Sequence, residues 1–74
     1  MRDKRSKFVA LAEKRVTRLL RDVRLIGNLG NKSNYEYTDD DVRKIFAAID
    51  NEVRSARKRF DGRGEPEERA FRLA

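Results

Sequence analysis

The stretch VALAEKRVTRLLRDVRLI, residues 9–26, decides the fold of this chain. Its apolar residues recur every three or four positions, at Val9, Ala12, Val16, Leu19, Val23 and Ile26. This spacing places them along one side of an α-helix and is typical of a helix that packs against another helix. The sequence therefore predicts an amphipathic first helix over about residues 6–26. Ser6 can cap it, and the alternative is that the basic residues before Ser6 extend the helix upstream.

The same spacing returns in the second half of the chain, at Val42, Phe46, Ile49, Val53, Ala56 and Phe60. Thr38 precedes Asp41 by three residues, which is the pattern of a capping box at a helix start. The pair Asp61-Gly62 favours a helix end. A second helix is thus predicted over about residues 39–60, and the chain is expected to be an all-α, antiparallel two-helix hairpin.

The segment between the two helices, residues 27–37, is rich in turn-forming residues and is longer than most helix connections. We therefore expect a compact, structured loop. Gly27 is expected to end the first helix in a left-handed conformation. The hairpin would occupy residues 1–61, and residues 62–74 would form a tail that is either flexible or a short helix starting near residues 65–68.

A chain of 74 residues has little core of its own, so additional burial is needed for stability. Further apolar side chains widen the two helix faces beyond a simple two-helix contact: Phe8, Leu11, Leu20, Leu25 and Ile45. Either the tail covers them or two copies pair. We favour the second alternative, a homodimer that forms a four-helix bundle.

The composition argues against several classes of function. The chain has no cysteine and no histidine, so the common thiol nucleophile and the common general base are absent. We therefore expect a protein that is not an enzyme and that has no cofactor. We also expect no metal site, because Asp39, Asp40 and Asp41 fit a helix cap better than a Mg²⁺ site. No apolar run has the length of a signal peptide or of a membrane span, which predicts a cytoplasmic protein with no membrane partner.

The charge distribution is the strongest functional signal. Residues 1–26 hold nine basic and three acidic residues, a net charge of +6, whereas residues 27–74 hold ten of each. Such asymmetry points to an anionic partner. We predict a nucleic-acid or nucleoprotein interface at Lys4, Lys7, Lys14, Arg18, Arg21 and Arg24, with Arg54, Arg57 and Lys58 brought to the same end of the hairpin by antiparallel pairing.

The mode of binding is expected to be contact with the phosphate backbone. A helix-turn-helix is disfavoured, because the connection is long and the start of the second helix is triply acidic. An alternative remains a protein-interaction module that inhibits or adapts a host factor. It would use the 28–37 loop, with candidate residues Asn28, Asn31, Lys32, Asn34, Tyr35 and Tyr37.

The stretch RLIGNLGNKSNYEYT, residues 24–38, resembles the middle of a group of short bacterial proteins carried on phages and other mobile elements. In that group, too, a basic helix precedes this stretch and an acid-capped helix follows it. The resemblance covers about residues 8–60. It implies a mobile-element context, which favours the protein-interaction alternative, and it assigns no catalytic or binding residue.

Overall fold

A computed structural model describes residues 2–62 and 70–73 of the chain. Within these residues it contains two helices and no strand: α1, Arg2–Gly27, and α2, Asp39–Phe60. The all-α class and both helices are as predicted. The chain divides into two compact units, Met1–Tyr35 and Glu36–Ala74, so that each helix belongs to its own unit.

Helix α1 starts at Arg2, so of the two predicted starts the structure has the one upstream of Ser6. Ser6 lies inside the helix, and the basic residues before it add a further turn with Asp3 near the positive end of the helix dipole. Arg and Lys have high helix propensity, which is why this charged lead-in is helical.

The end of α1 corrects the prediction for Gly27. Gly27 is the last helical residue and does not have a positive φ. The final carbonyls accept hydrogen bonds from amides three residues later. The amide of Leu29 donates to the carbonyl of Ile26 (3.0 Å), and the amide of Gly30 donates to that of Gly27 (3.0 Å). Because these bonds pair the terminal carbonyls, no left-handed residue is required.

Helix α2 begins at a complete capping box. The Thr38 hydroxyl accepts a hydrogen bond from the amide of Asp41 (3.1 Å), and the Asp41 carboxylate accepts one from the amide of Thr38 (3.0 Å). The helix ends at Phe60 with Asp61 as its C-cap, and the following Gly62 has a φ of 75°. The start and the end of α2 are both confirmed.

Thr38→Ala should lower the free energy of unfolding by about 1 kcal/mol, because it leaves the amide of Asp41 without its partner. Thermal unfolding followed by circular dichroism measures the effect. Thr17→Ala is the matched control, since Thr17 is exposed inside α1 and alanine is the better helix former there. Equal melting temperatures for the two variants would show that the cap has no energetic role.

The two glycines at the helix ends should respond in opposite directions to alanine. A Cβ at Gly27 would meet no atom within 4 Å, so Gly27→Ala should stabilise α1 by about 0.5–1 kcal/mol. Gly62→Ala should destabilise the chain by about 1 kcal/mol, because its φ of 75° strains a residue with a side chain. A loss of stability in the Gly27 variant, measured by urea unfolding, would contradict the observed helix end.

No described residue is buried, either apolar or polar. On α2 the half-buried apolar side chains are Ile45, Ala48 and Ile49. Ile49 belongs to the predicted stripe, whereas Ile45 and Ala48 lie to one side of it. The short helix expected near residues 65–68 lies outside the described residues.

Candidate nucleic-acid interface

The basic residues of α1 are separated from its apolar face by helix geometry. At about 100° per residue, eight apolar side chains of α1 cover an arc of about 120° on the helix: Phe8, Val9, Ala12, Val16, Leu19, Leu20, Val23 and Ile26. Four cations, Lys7, Lys14, Arg18 and Arg21, lie on the far side within an arc of about 60°. We call these four residues the basic stripe. They extend over 14 residues, or about 21 Å of helix length.

The basic stripe is exposed and unpaired. All four side chains are solvent-exposed. Asp40 pairs with Arg43 (3.1 Å) and Lys44 (3.5 Å) on α2, and within residues 2–62 and 70–73 no ion pair involves a cation of the stripe. Glu13 and Asp22 of α1 lie outside the arc of the stripe, and Asp3 lies at its edge, four residues before Lys7, without forming an ion pair with it. The positive charge of the stripe is therefore not neutralised by ion pairs with described side chains.

The remaining candidates on α1 flank the stripe rather than belong to it. Lys4 lies about 40° from its nearest edge and Arg24 about 60° from the opposite edge. Arg15 was not among the predicted residues. It is exposed and lies on the same flank as Lys4, between the stripe and the apolar face. Its angle on the helix is the one feature of the sequence that could have identified Arg15, since a cation at that angle extends the positive surface.

Arg5 differs from the other cations of α1. Its guanidinium lies 5.9 Å from the centre of the Phe8 ring, within the range of a cation–π contact. Both side chains belong to the apolar side of the helix. Arg5 is therefore a neighbour of the apolar face and not part of the basic stripe.

The candidates on α2 lie in its last two turns. Arg54 donates a hydrogen bond to the side-chain oxygen of Asn51 (3.3 Å), and Arg57 and Lys58 are in the final turn, where cations complement the helix dipole. All three side chains are exposed. Dipole complementation explains their position without reference to a ligand.

The loop residues of the alternative site are organised by Asn31. Its carbonyl accepts from the amides of Asn34 (3.1 Å) and Tyr35 (2.9 Å), and its side-chain oxygen accepts from the amide of Ser33 (3.0 Å). Asn31 thus fixes the turn. At the end of α1, the amide of Asn28 donates a hydrogen bond to the carbonyl of Arg24 (3.1 Å). Lys32 and Asn34 are exposed, as is Tyr35, at 50%, and Tyr37 is half-buried.

Two of the three acidic residues at the start of α2 make local contacts. Asp41 completes the cap and Asp40 pairs with two cations one turn later. Among the described residues, no group of three acidic, histidine or cysteine side chains is arranged to hold a metal ion. None of the described helices combines the length and the apolar character needed to cross a membrane.

The chain matches no protein-family model, no curated protein and no solved structure. Its function is therefore argued from the geometry of its own residues.

Proposed function

We propose that the protein associates with nucleic acid, or with a nucleoprotein complex, through the outer face of α1. The observation that carries this proposal is the basic stripe: four exposed, unpaired cations that share one face of a helix over about 21 Å. A rigid helix holds these cations at fixed positions. Such an array suits the regular phosphates of a double helix, which a protein can contact without reading sequence.

The chemistry of the stripe favours backbone contact over other modes. No aromatic side chain lies in the arc of the stripe, so α1 offers no stacking platform for the bases of a single strand. The N-terminus of α2 carries Asp39, Asp40 and Asp41, which would repel phosphates from the helix end that recognition helices use. Duplex DNA and structured RNA are the ligands that remain.

We further propose that α1 and α2 form an antiparallel hairpin and that two copies of it pair as a four-helix bundle. The support is that neither helix buries an apolar side chain within the described residues, although each has a continuous apolar face. Opposing the two repeats antiparallel places Val9 at the level of Ala56 and Val16 at that of Ile49. In this arrangement Arg54, Arg57 and Lys58 would extend the positive surface at the end of α1 opposite the loop.

The salt dependence of binding tests the proposal. If the stripe makes about four phosphate contacts, the logarithm of affinity for duplex DNA should fall with the logarithm of salt concentration with a slope of about −3.6. Affinity should then drop about 150-fold between about 50 and 200 mM salt. Fluorescence anisotropy on two unrelated duplexes and on a structured RNA measures this. Because backbone contacts carry no sequence information, the two duplexes should bind equally.

If the protein binds none of these ligands at low salt, the proposal is wrong, and the alternative of a protein-interaction module that uses the 28–37 loop is favoured. The observation that supports a protein-interaction module is the hydrogen-bonded turn at residues 31–35 of the loop, where Tyr35 is exposed beside Asn31. Aromatic side chains are enriched at the centres of protein interfaces. Binding of a host protein through this loop should persist at several hundred millimolar salt and be lost in Tyr35→Ala.

A further inference from the structure

Two leucines of α1 lie on the cationic side of the helix. Leu25 falls within the arc of the basic stripe and Leu11 about 20° beyond its edge, so that they lie about 160° and 120° from the centre of the apolar face. They are 40% (Leu11) and 55% (Leu25) exposed. The sequence grouped both with Leu20 as apolar residues that widen the packing face. Helical position separates them from Leu20, which lies on the apolar face itself.

Helix packing does not account for Leu11 and Leu25. Bundles bury the a and d positions and the positions beside them, whereas these two leucines are at the outer c position of the repeat. Most of their charged helical neighbours are cations instead. Leu11 lies one turn from Lys7, Lys14 and Arg15. Leu25 follows Arg24 and lies one turn from Arg21 and Asp22.

We infer that Leu11 and Leu25 are apolar wedges that enter between base steps of a duplex while the basic stripe holds its phosphates, so that the duplex is bent. This inference rests on the proposed function. A duplex presents charge on the outside and stacked apolar bases within, and proteins that bend it combine cations with inserted side chains such as leucine. The two leucines are 14 residues apart, about 21 Å, which corresponds to about six base-pair steps.

The chemistry of the stripe favours a duplex over an anionic lipid surface. A helix that lies in a lipid interface buries a broad apolar face. On the side that holds Leu11 and Leu25, the apolar surface is two separate side chains, each with cations next to it. Such isolated apolar points match discrete gaps between base steps.

The test measures binding and bending separately on one duplex. A short DNA duplex carries a donor and an acceptor fluorophore at its two ends, and anisotropy and energy transfer are recorded together. With the unaltered chain, energy transfer should rise on binding, as expected for a bend of at least about 20°. Leu11→Gln with Leu25→Gln should abolish the rise and keep the salt slope, because the phosphate contacts remain.

Leu11→Met with Leu25→Met is the matched control. Methionine and glutamine have similar length and similar helix propensity, but methionine keeps the apolar surface, so the methionine pair should bend the duplex as the unaltered chain does. Circular dichroism checks that both pairs keep their helix content.

Binding without a change in energy transfer would show that Leu11 and Leu25 do not act as wedges. The proposed contact between the basic stripe and the phosphates would not be affected. Bending by the glutamine pair equal to that of the unaltered chain would also overturn the wedges. A chain that binds no duplex at low salt would refute the proposed function and the wedges together. Vesicles of phosphatidylglycerol form a last arm: tight vesicle binding that the glutamine pair loses, without bending of DNA, would assign the leucines to a lipid surface instead.

Discussion

Replacing Lys7, Lys14, Arg18 and Arg21 by glutamate is expected to abolish binding to duplex DNA and to structured RNA. The four changes turn the basic stripe into an acidic one and shift the net charge from +6 to −2. Each changed residue is exposed and lies opposite the apolar face, so α1 should keep its helix content. Anisotropy at low salt should show no association with any duplex, because backbone contacts are lost equally on all sequences.

A control with the same net charge separates the stripe from the charge of the whole molecule. Glutamate at Arg43, Lys44, Arg59 and Arg72 also gives a net charge of −2 and leaves the basic stripe unchanged. This variant should bind more weakly than the unaltered chain, through loss of long-range attraction, but with the same salt slope. Equal loss of binding in both variants would show that the stripe is not a site.

The two helix ends show which features a sequence predicts well. The cap of α2 is a contact between residues three positions apart, so Thr38 and Asp41 predict it without knowledge of the rest of the fold. The end of α1 depends on which of several possible turns the loop adopts. Gly27 was predicted to end α1 in a left-handed conformation. Instead, the amides of Leu29 and Gly30 bond to the last carbonyls of α1, and the glycine with a positive φ is Gly62, after α2.

The candidate site divides in the same way. The basic stripe can be read from residue spacing, because positions on one helix are fixed by its pitch. Leu11 and Leu25 were grouped with the packing face, but their angle on the helix, which counting apolar residues ignores, sets them apart from it. What covers an apolar face cannot be read from its spacing, because every helix with the same repeat offers a compatible surface. The prediction of pairing therefore needs an experiment at matched positions.

Leu20→Glu should disrupt the proposed dimer, whereas Leu25→Glu should leave it unchanged. Both residues are on α1, with similar exposed fractions of 57% for Leu20 and 55% for Leu25, and the change in helix propensity is the same. Leu20 lies on the apolar face, so in the proposed bundle its substitution buries a charge at the interface, which costs several kcal/mol. Leu25 lies on the outer face, one turn from Arg21 and Asp22, where glutamate is solvated.

Sedimentation equilibrium measures the difference. The unaltered chain and Leu25→Glu should both have a mass near twice 8.7 kDa, whereas Leu20→Glu should give a monomer of 8.7 kDa or an unfolded chain. A folded monomer for the unaltered chain at high concentration would refute the bundle. Equal masses for the two variants would show that the apolar face of α1 is not buried between copies. If only Leu20→Glu dissociates, the result fixes which face of α1 packs and leaves the opposite face, with the basic stripe, available to a ligand.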